Sequence, residues 1–387
     1  MIRVGFVIVP GDDWLGGVSY FRNLLSAINE LPSREIEAVV FTGSNVSDQQ
    51  LNGLPKTQLV RSEMINRGSI AWLVRQAIKR IFTRDILLER LLVKNNIGVL
   101  SHSGFLGRGA SIPAIGWIPD FQHLHLPDFY QHDEIKKRVI QNKDVCRYCD
   151  SILLSSYDAQ QDLKISSPVC AAKSQVLQFV ADIAFETGGS GNLELKQRHG
   201  FNDNYLLVPN QFWAHKNHKV IIEALHILRA SGREITVLAT GNTYDHRHPQ
   251  YFESIVEHVK TMGVADCFKV LGVVPQRDLM ELMLGATALI NPSLFEGWST
   301  SVEEAKSLGK RIILSDIPVH REQNPKGAIF FSAHDAHALA NAMWEMASRS
   351  DPIGDNEMMN EARESLPRRR QKFAKQFQHI VLGVAAA

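Results

Sequence analysis

The chain has few cysteines, no long apolar run and no excess of either charge. Only four of its 387 residues are cysteines, at positions 146, 149, 170 and 267, which is too few for a disulfide framework. We therefore expect a reducing compartment, with Cys146 and Cys149 as two thiols on a helix face, since a lone C-x-x-C is a weak metal signal. No run of 18 or more apolar residues is present, so the sequence predicts no membrane-spanning helix.

The charge balance gives no basis for nucleic-acid binding. Lysine and arginine number 42 against 41 acidic residues, for a net charge of +1. Residues 1–10 are apolar but too few for a signal sequence, and they predict a buried first strand in a cytoplasmic protein. The length favours two or three domains, and 44% hydrophobic residues suffice for their cores.

Strand-like runs alternate with helical patterns along the whole chain. Predicted helices include 218–230, 251–262 and 277–284. Alternation of this kind predicts an α/β fold with doubly wound parallel sheets. The predicted strands are 2–9, 36–42, 99–101, 114–118, 151–155 and 175–180 in the first half, and 205–208, 235–240, 268–271, 288–291 and 312–315 in the second.

A glycine-rich segment at 185–192, where the composition changes, divides the two halves. We predict an N-terminal Rossmann-like domain at 1–185, a linker at 186–200 and a C-terminal Rossmann-like domain at 201–366, with a cleft between the domains. Pro367 is expected to begin a last basic helix at 368–382. One arrangement of this segment, 367–387, is packing back on the N-terminal domain.

Two glutamates with seven residues between them form the most informative pattern. Glu296 follows an apolar run, and Glu304 lies early in a predicted helix that ends at Gly309. Open α/β sheets bind ligands at the carboxyl ends of strands, and a helix N-terminus attracts phosphate. Because carboxylates accept hydrogen bonds from sugar hydroxyls, the pattern indicates a sugar-nucleotide site. The alternative is structural: Ser301 and Glu304 have capping-box spacing, and Glu296 is then an ordinary loop acid.

A polar segment after a first-half strand is the second candidate site. Asp120, His123 and His125 follow the strand at 114–118, and we take His123 as the first choice for catalysis. Histidines that bond loop backbone are the structural alternative. A zinc site with Asp128 and His132 is disfavoured, because no helical i, i+4 pair or cysteine supports it.

Gly16 and Gly17, placed just before the first helix, allow the backbone to approach a ligand closely. The alternative is a tight strand–helix turn without a ligand. The nearby Asp12 and Asp13 are interpreted as solvated caps and not as metal ligands. His102, which ends another strand, is either a second catalytic candidate or a polar residue that finishes the strand.

A basic stretch at 67–94 carries seven cationic and two acidic residues among apolar ones, including Trp72 and Phe82. One interpretation is contact with an anionic membrane surface. The other is an amphipathic helix with a solvated face.

These motifs, in this order, resemble the retaining nucleotide-sugar-dependent glycosyltransferases of family 4, which have the GT-B fold. The resemblance covers nearly the whole chain and is strongest in its second half. It rests on the Glu296–Glu304 pair, the glycine-rich turn at 16–20, the segment 209–217 and the segment 270–275.

The resemblance implies a role for each matching residue. Glu296 contacts hydroxyls of the donor sugar, and Glu304 binds the ribose. The segment 270–275, including Val274, lies beside the base. Asp120 and His123 face the donor sugar and join Glu296 as catalytic candidates. The loop between the glutamates offers backbone N–H groups to sugar and phosphate, from Gly297, Trp298 and Ser299.

The diphosphate-binding segment departs from the family pattern. Lys216 matches the family's lysine, but Asn210 stands where the family has an arginine, so one charge-assisted contact is missing. His215, or an arginine from elsewhere in the chain, is expected to replace it.

The implied function is a retaining, front-face transfer of a sugar in the interdomain cleft. The donor is a nucleotide diphosphate sugar, the acceptor is a hydroxyl of a glycan or lipid-linked molecule, and no metal or other cofactor is expected. The protein would act in the cytoplasm or at the inner face of the membrane. The alternatives are a sugar-nucleotide 2-epimerase of the same shape and a sugar-nucleotide-binding subunit with weak catalysis, which Asn210 slightly favours.

Overall fold

In the computed structural model of the protein, residues 1–9, 15–51, 53–183, 196–202, 204–349 and 351–386 are described. The chain divides into two units. The first comprises Met1–Phe121, Asp133–Val180 and Pro367–Ala387, and the second comprises Gln122–His132 and Ala181–Leu366. Most of the predicted linker at 186–200 lies outside the described residues.

The first unit is built on a parallel sheet of seven strands. Its strands are β1 (Ile2–Val7), β2 (Ile36–Gly43), β3 (Gln58–Ser62), β4 (Val99–Ser101), β5 (Ala114–Ile118), β6 (Ser151–Leu154) and β7 (Ser174–Val176). The strand order is β3-β2-β1-β4-β5-β6-β7, and all pairings are parallel. The sequence did not reveal β3, an edge strand with little buried surface and therefore no strong apolar pattern.

Helices connect these strands, as the alternating pattern predicts. In chain order they are α1 (Leu15–Asn29), α2 (Ile70–Phe82), α3 (Ile86–Lys94), α4 (Gln122–His125), α5 (His132–Tyr148), α6 (Tyr157–Ser166) and α7 (Pro168–Ala171). The short α4 is grouped with the second unit, although the predicted boundary at residue 185 assigns it to the first domain.

The second unit is built on a parallel sheet of six strands. They are β8 (Tyr205–Pro209), β9 (Thr236–Thr240), β10 (Phe268–Gly272), β11 (Ala288–Asn291), β12 (Ile312–Ser315) and β13 (Ile329–Phe331), in the order β10-β9-β8-β11-β12-β13. The connecting helices are α8 (His218–Ala230), α9 (Tyr251–Thr261), α10 (Gln276–Gly285), α11 (Thr300–Leu308), α12 (Pro318–Gln323) and α13 (Ala336–Ser348).

Alternate residues of the second sheet enter two separate cores. Leu206 and Val208 of β8 pack with α8, α9 and α13 in one cluster. Tyr205 and Leu207 pack with α10 and α11 in the other. Because successive strand side chains point to opposite faces, helices cover both faces and the sheet is doubly wound. The chain leaves β8 in one direction to β9 and later returns to β11 on its other side, so a switch point lies between β8 and β11.

The C-terminal helix is longer than predicted. Helix α14 runs from Pro352 to Ala386 with Pro367 inside it, so the expected start at Pro367 is wrong. Proline removes one backbone donor from a helix, but buried Phe373 and Phe377 on the following turns stabilise the continuation. Within the first unit, Gln378 accepts a hydrogen bond from the Glu35 N–H at 2.9 Å.

One cysteine prediction is wrong. Cys146 is not a free thiol, because it forms a disulfide with Cys170, and the two Cα atoms are 5.4 Å apart. Helix α5 and the short α7 bring these residues together, which their sequence spacing does not reveal. Cys149 and Cys267 are buried free thiols. Among the described residues, no helix combines the length and the apolarity that crossing a bilayer requires.

Candidate active site

The loops that follow β8 and β11 carry most of the candidate residues. Asn210, His215 and Lys216 come after β8, and Glu296 comes after the adjacent β11. The carboxyl ends of parallel strands meet at one edge of a sheet, so these loops lie together at the switch point. These candidate residues therefore lie where doubly wound sheets commonly bind ligands.

Lys216 and Glu296 form an ion pair in this site. Lys216 Nζ lies 2.5 Å from Glu296 Oε1, and Ser293 Oγ lies 2.7 Å from the same oxygen. Burial alone would raise the pKa of Glu296, but the Lys216 ammonium, with smaller effects of His215 and His320, brings the pKa to about 2. Glu296 is therefore ionised at neutral pH, with one oxygen held by the lysine.

His215 cannot supply the positive charge that Asn210 lacks. Its side chain is buried, and this burial, reinforced by the nearby Lys216 charge, lowers its pKa to about 3. The imidazole is neutral at pH 7, so the expectation that His215 replaces the missing arginine is wrong as far as charge is concerned.

Asn210 belongs to a buried network that also fixes the loop before α11. Its Oδ1 accepts a long hydrogen bond from Ser301 Oγ at 3.5 Å, while its Nδ2 has no partner among the described residues. Asn291 donates to Ser299 Oγ at 2.8 Å and to Ser301 Oγ at 3.0 Å. The sequence did not single out Asn291, whose only signal was its place at the end of β11.

The start of α11 differs from the capping-box alternative. The N-cap is Ser299, not Ser301, and its side chain makes no capping hydrogen bond. The Ser299 N–H donates to Gln323 Oε1 at 3.2 Å, so the expectation that it is free for a ligand is wrong. The three-residue spacing of Ser301 and Glu304 therefore closes no helix end.

Two adjacent glutamates on α11 have different environments. Glu303 accepts hydrogen bonds from Lys306 Nζ at 3.0 Å and from Gln323 Nε2 at 3.2 Å. Glu304 is half-buried and makes no hydrogen bond or ion pair among the described residues. Burial raises its pKa to about 7. A carboxylate with free acceptor capacity beside a helix N-terminus is suited to hydroxyl groups of a ligand.

The expected donor loop is fixed by a glycine that the sequence pattern did not single out. Gly241, after β9, has φ of +126°, and a Cβ there would lie 2.6 Å from the Asn210 carbonyl oxygen. The Phe212 N–H also donates to the Asn242 carbonyl at 2.8 Å. These contacts fix the backbone at 210–212, the first part of the loop that carries Lys216.

The segment Gln122–His132 reaches the second unit through its aromatic rings. His125 is exposed, and its ring centroid lies 5.0 Å from that of Phe295, the neighbour of Glu296. His123, the first choice from the sequence, is buried and edge-on to Tyr130 at 6.4 Å. Asp120 belongs to the first unit, where Arg138 Nη1 lies 3.7 Å from its carboxylate. Of these three candidates, His125 is thus the one whose ring packs against the residue that precedes Glu296.

His102 is a structural residue of the first unit. Its Nε2 lies 2.8 Å from Tyr20 Oη and its Nδ1 2.8 Å from Ser101 Oγ. The ring is surrounded by aromatic side chains, including Trp117 at 5.5 Å, and burial lowers its pKa to about 3. With both nitrogens engaged, the ring is held neutral, which fits the strand-finishing interpretation.

The glycine-rich turn is helical. Helix α1 begins at Leu15, so Gly16 and Gly17 lie in its first turn, and the expectation that they precede the helix is wrong. Asp12 and Asp13 lie outside the described residues.

Val274 occupies the expected loop after β10. It is partly buried against the core that α10 and α11 share.

Among the described residues, no group of three or more histidine, cysteine, aspartate or glutamate side chains is arranged to hold a metal ion.

His320 is a site residue that the sequence did not reveal. It is buried at the start of α12, and its Nδ1 lies 2.9 Å from the Ser315 carbonyl oxygen. Burial lowers its pKa to about 4, against the opposing effect of the nearby Glu296 charge. The neutral His320 ring therefore lies close enough to Glu296 to experience its negative charge. In the sequence, the only indication of His320 was its position shortly after β12.

Comparisons with known proteins find relatives of this chain among glycosyltransferases. Residues 192–365 match the family model of the glycosyl transferases group 1. A curated relative, the O-antigen chain mannosyltransferase RfbU of Salmonella typhimurium, is 26% identical over 236 residues, which cover 61% of this chain and 61% of that protein. The chain thus aligns with about three fifths of this relative's length.

Solved structures share the fold over nearly the whole chain. HepE of Anabaena, crystallised with UDP and glucose, has a TM-score of 0.70 at 14% identity, covering 98% of this chain and 99% of HepE. Sucrose-phosphate synthase of Thermosynechococcus elongatus has a TM-score of 0.65 at 13% identity, covering 99% and 97%. At these identities the likeness shows the fold alone. The chain therefore has the GT-B fold, and its residues 192–365 are similar to the glycosyl transferases group 1 family.

Proposed function

We propose that the protein is a retaining glycosyltransferase that moves a hexosyl or deoxyhexosyl group from a nucleotide diphosphate sugar to a hydroxyl acceptor. The observation that carries the proposal is the pair of glutamates on the loop and helix after β11, with Lys216 against the first of them. The family match covers this region. The O-antigen chain mannosyltransferase relative supports a role in polysaccharide biosynthesis. The cytoplasmic setting and the glycan or lipid-linked acceptor are parts of our proposal.

Each glutamate has a chemical role suited to its environment. Glu296 is ionised, and its Oε2 is not engaged by Lys216 or Ser293, so it is assigned to hydroxyls of the donor sugar. Glu304, which makes no hydrogen bond or ion pair within the part of the chain that the structure describes, is assigned to the ribose. Val274 is assigned to the base, and the loop at 297–298 to the sugar and phosphate, together with the N-terminus of α11.

The reaction breaks the anomeric C–O bond and leaves negative charge on the diphosphate. In a front-face transfer the acceptor attacks from the side of the departing group, so no carboxylate serves as a covalent nucleophile. Catalysis then depends on stabilising the leaving group, and one preorganised donor is worth about 3 kcal/mol. Lys216 supplies one cation when the donor's phosphates replace Glu296 as its partner. No metal is part of this proposal.

Arg247 is our candidate for the second cation in place of the missing arginine. It lies in the loop after β9, the strand next to β8. Its backbone N–H donates to Asp245 Oδ1 at 2.9 Å, and Asp245 Oδ2 accepts from the Ala214 N–H at 3.0 Å, beside Lys216. The Arg247 charge, like that of Lys216, contributes to the low pKa of His215, so it acts on the same loop.

Substitution of Glu296 tests the proposed function. Glu296→Ala should abolish sugar transfer while the protein stays folded, and NMR of the wild-type product should show the anomeric configuration of the donor. Near-normal turnover of Glu296→Ala would remove the residue from the mechanism, and an inverted product would refute retention.

The Arg247 assignment has a matched control. Arg247→Gln should weaken donor binding by about tenfold, the value of one charge-assisted hydrogen bond. Arg233, whose guanidinium lies over Trp344 much as Arg247 lies over Tyr130, belongs to another part of the second unit. Arg233→Gln should leave donor affinity unchanged in calorimetry. Equal affinities of the wild type and Arg247→Gln would exclude the contact.

A further inference from the structure

Helix α2 turns an apolar face towards solvent. We call Ile70, Leu73, Val74, Ala77 and Ile81 the α2 stripe; their spacing places them on one side of the helix. Ile70 is 82% exposed, Leu73 54%, Val74 48% and Ile81 74%, and the helix has no buried residue at all. Phe82, at the end of the helix, is 59% exposed. A surface helix ordinarily buries such a face, so this orientation is inverted.

The opposite side of α2 is attached to the first unit by ion pairs with Asp85. Arg75 makes a bidentate contact with Asp85, at 2.9 Å from Nε and 2.8 Å from Nη2, and Lys79 Nζ lies 3.7 Å from the same carboxylate. The Asp85 side chain is only 1% exposed. The single Asp85 carboxylate thereby holds both cations that face the protein, and the helix is fixed with its apolar stripe outward.

Within residues 67–94, the charges that remain without a counter-ion are all positive. Glu89, the other acid of this stretch, is paired with Arg84 at 2.7 and 2.6 Å. Four cations are exposed, and their side chains make no hydrogen bond or ion pair among the described residues: Arg67, Arg80, Arg90 and Lys94. On α3, Val93 is 53% exposed between the last two of these. The surface thus combines apolar side chains with unneutralised positive charge.

We propose that the α2 stripe and these four cations form a docking surface for an anionic lipid bilayer. The apolar side chains would enter the boundary between headgroups and acyl chains, while the cations meet lipid phosphates. A second copy of the chain is a poorer occupant, because a two-fold symmetric contact brings the same cations against each other. The surface lies in the first unit and is independent of the donor site of the second.

Vesicle flotation of the full chain tests this surface. The protein should float with vesicles of equal parts phosphatidylglycerol and phosphatidylcholine, not with phosphatidylcholine alone, and high salt should release it. Leu73→Glu/Ile81→Glu should abolish flotation. The control is Ile165→Glu/Val169→Glu, at residues 74% and 87% exposed elsewhere in the first unit, and it should bind as the wild type does.

A milder substitution separates docking from loss of folding. Arg80→Gln should lower the partition coefficient about fivefold, the contribution of one cation near an anionic surface, with an unchanged melting temperature. The proposal is overturned if the wild type does not float with the anionic vesicles, or if Leu73→Glu/Ile81→Glu floats as well as the control. Dissociation of a dimer by that variant, without vesicle binding by the wild type, would assign the stripe to a second copy instead.

Discussion

Replacing Glu304 by glutamine should stabilise the protein at neutral and alkaline pH. Burial raises the pKa of this carboxyl from 4.5 to about 7, and no partner among the residues described in the structure compensates its charge. Between these pH values the folded chain keeps a proton that the unfolded chain has lost. Stability therefore falls as the pH rises from 4.5 through about 7, and the full loss is present above pH 7.

The size of this effect follows from the pKa. Each unit by which the folded-state pKa exceeds the unfolded-state pKa lowers the free energy of unfolding by about 1.4 kcal/mol at high pH. The shift from 4.5 to about 7 therefore sets an upper limit of roughly 3 kcal/mol on the destabilisation by Glu304. Since the side chain keeps some contact with solvent, we expect Glu304→Gln to gain about 1–2 kcal/mol at pH 8 and less at pH 5. Glu303→Gln, which loses the contact with Lys306, should instead destabilise the protein.

Urea unfolding of the wild type and both variants at pH 5 and pH 8 measures these differences. A Glu304→Gln variant that is no more stable than the wild type at pH 8, or whose gain is the same at both pH values, would refute the reasoning. The stabilised variant should also bind the donor more weakly, because an amide is a poorer acceptor for ribose hydroxyls than a carboxylate.

Two further substitutions test the donor loop. Lys216→Met leaves Glu296 buried without its cation and should cost about 3 kcal/mol, most of which Lys216→Met/Glu296→Gln should recover; a urea-unfolding cycle without coupling would contradict the ion pair. Gly241→Ala should cost about 3 kcal/mol, because its Cβ would overlap the backbone at 210–211, whereas Gly263→Ala, also at positive φ but in open space, should cost about 1 kcal/mol. Equal losses in the two glycine variants would show that backbone conformation alone sets the cost.

The sheets, and the positions of Glu296 and Glu304 after β11, were predictable because their signals are local. Buried parallel strands such as β11 and β12 are continuous apolar runs, and Glu296 and Glu304 follow them at a spacing visible in the sequence. Weak strands give no such signal: β3 is largely exposed, and in the three-residue β13 only Phe331 is buried. The continuous course of α14 was also not predictable, because Pro367 is a helix-start signal that tertiary packing overrides.

Features that depend on long-range contacts could not be predicted. The disulfide between Cys146 and Cys170 requires that α5 and α7 meet, and the placement of His125 beside Phe295 requires that a segment from the first half pack with the second unit. The link between Arg247, our candidate cation, and the loop of Lys216 likewise depends on the contact of Asp245 with Ala214. None of these has a sequence spacing that marks it.

Thermal denaturation of the purified protein with GDP-, UDP-, ADP- and dTDP-sugars tests the nucleotide-sugar site most directly. A ligand at a hundred times its dissociation constant stabilises the folded state by about 2.7 kcal/mol, which gives a clear rise in melting temperature. We predict that sugars of one nucleotide raise it, and that Lys216→Ala removes the shift. If no nucleotide sugar stabilises the protein, or if the shift persists in Lys216→Ala, the donor site proposed after β8 and β11 is contradicted.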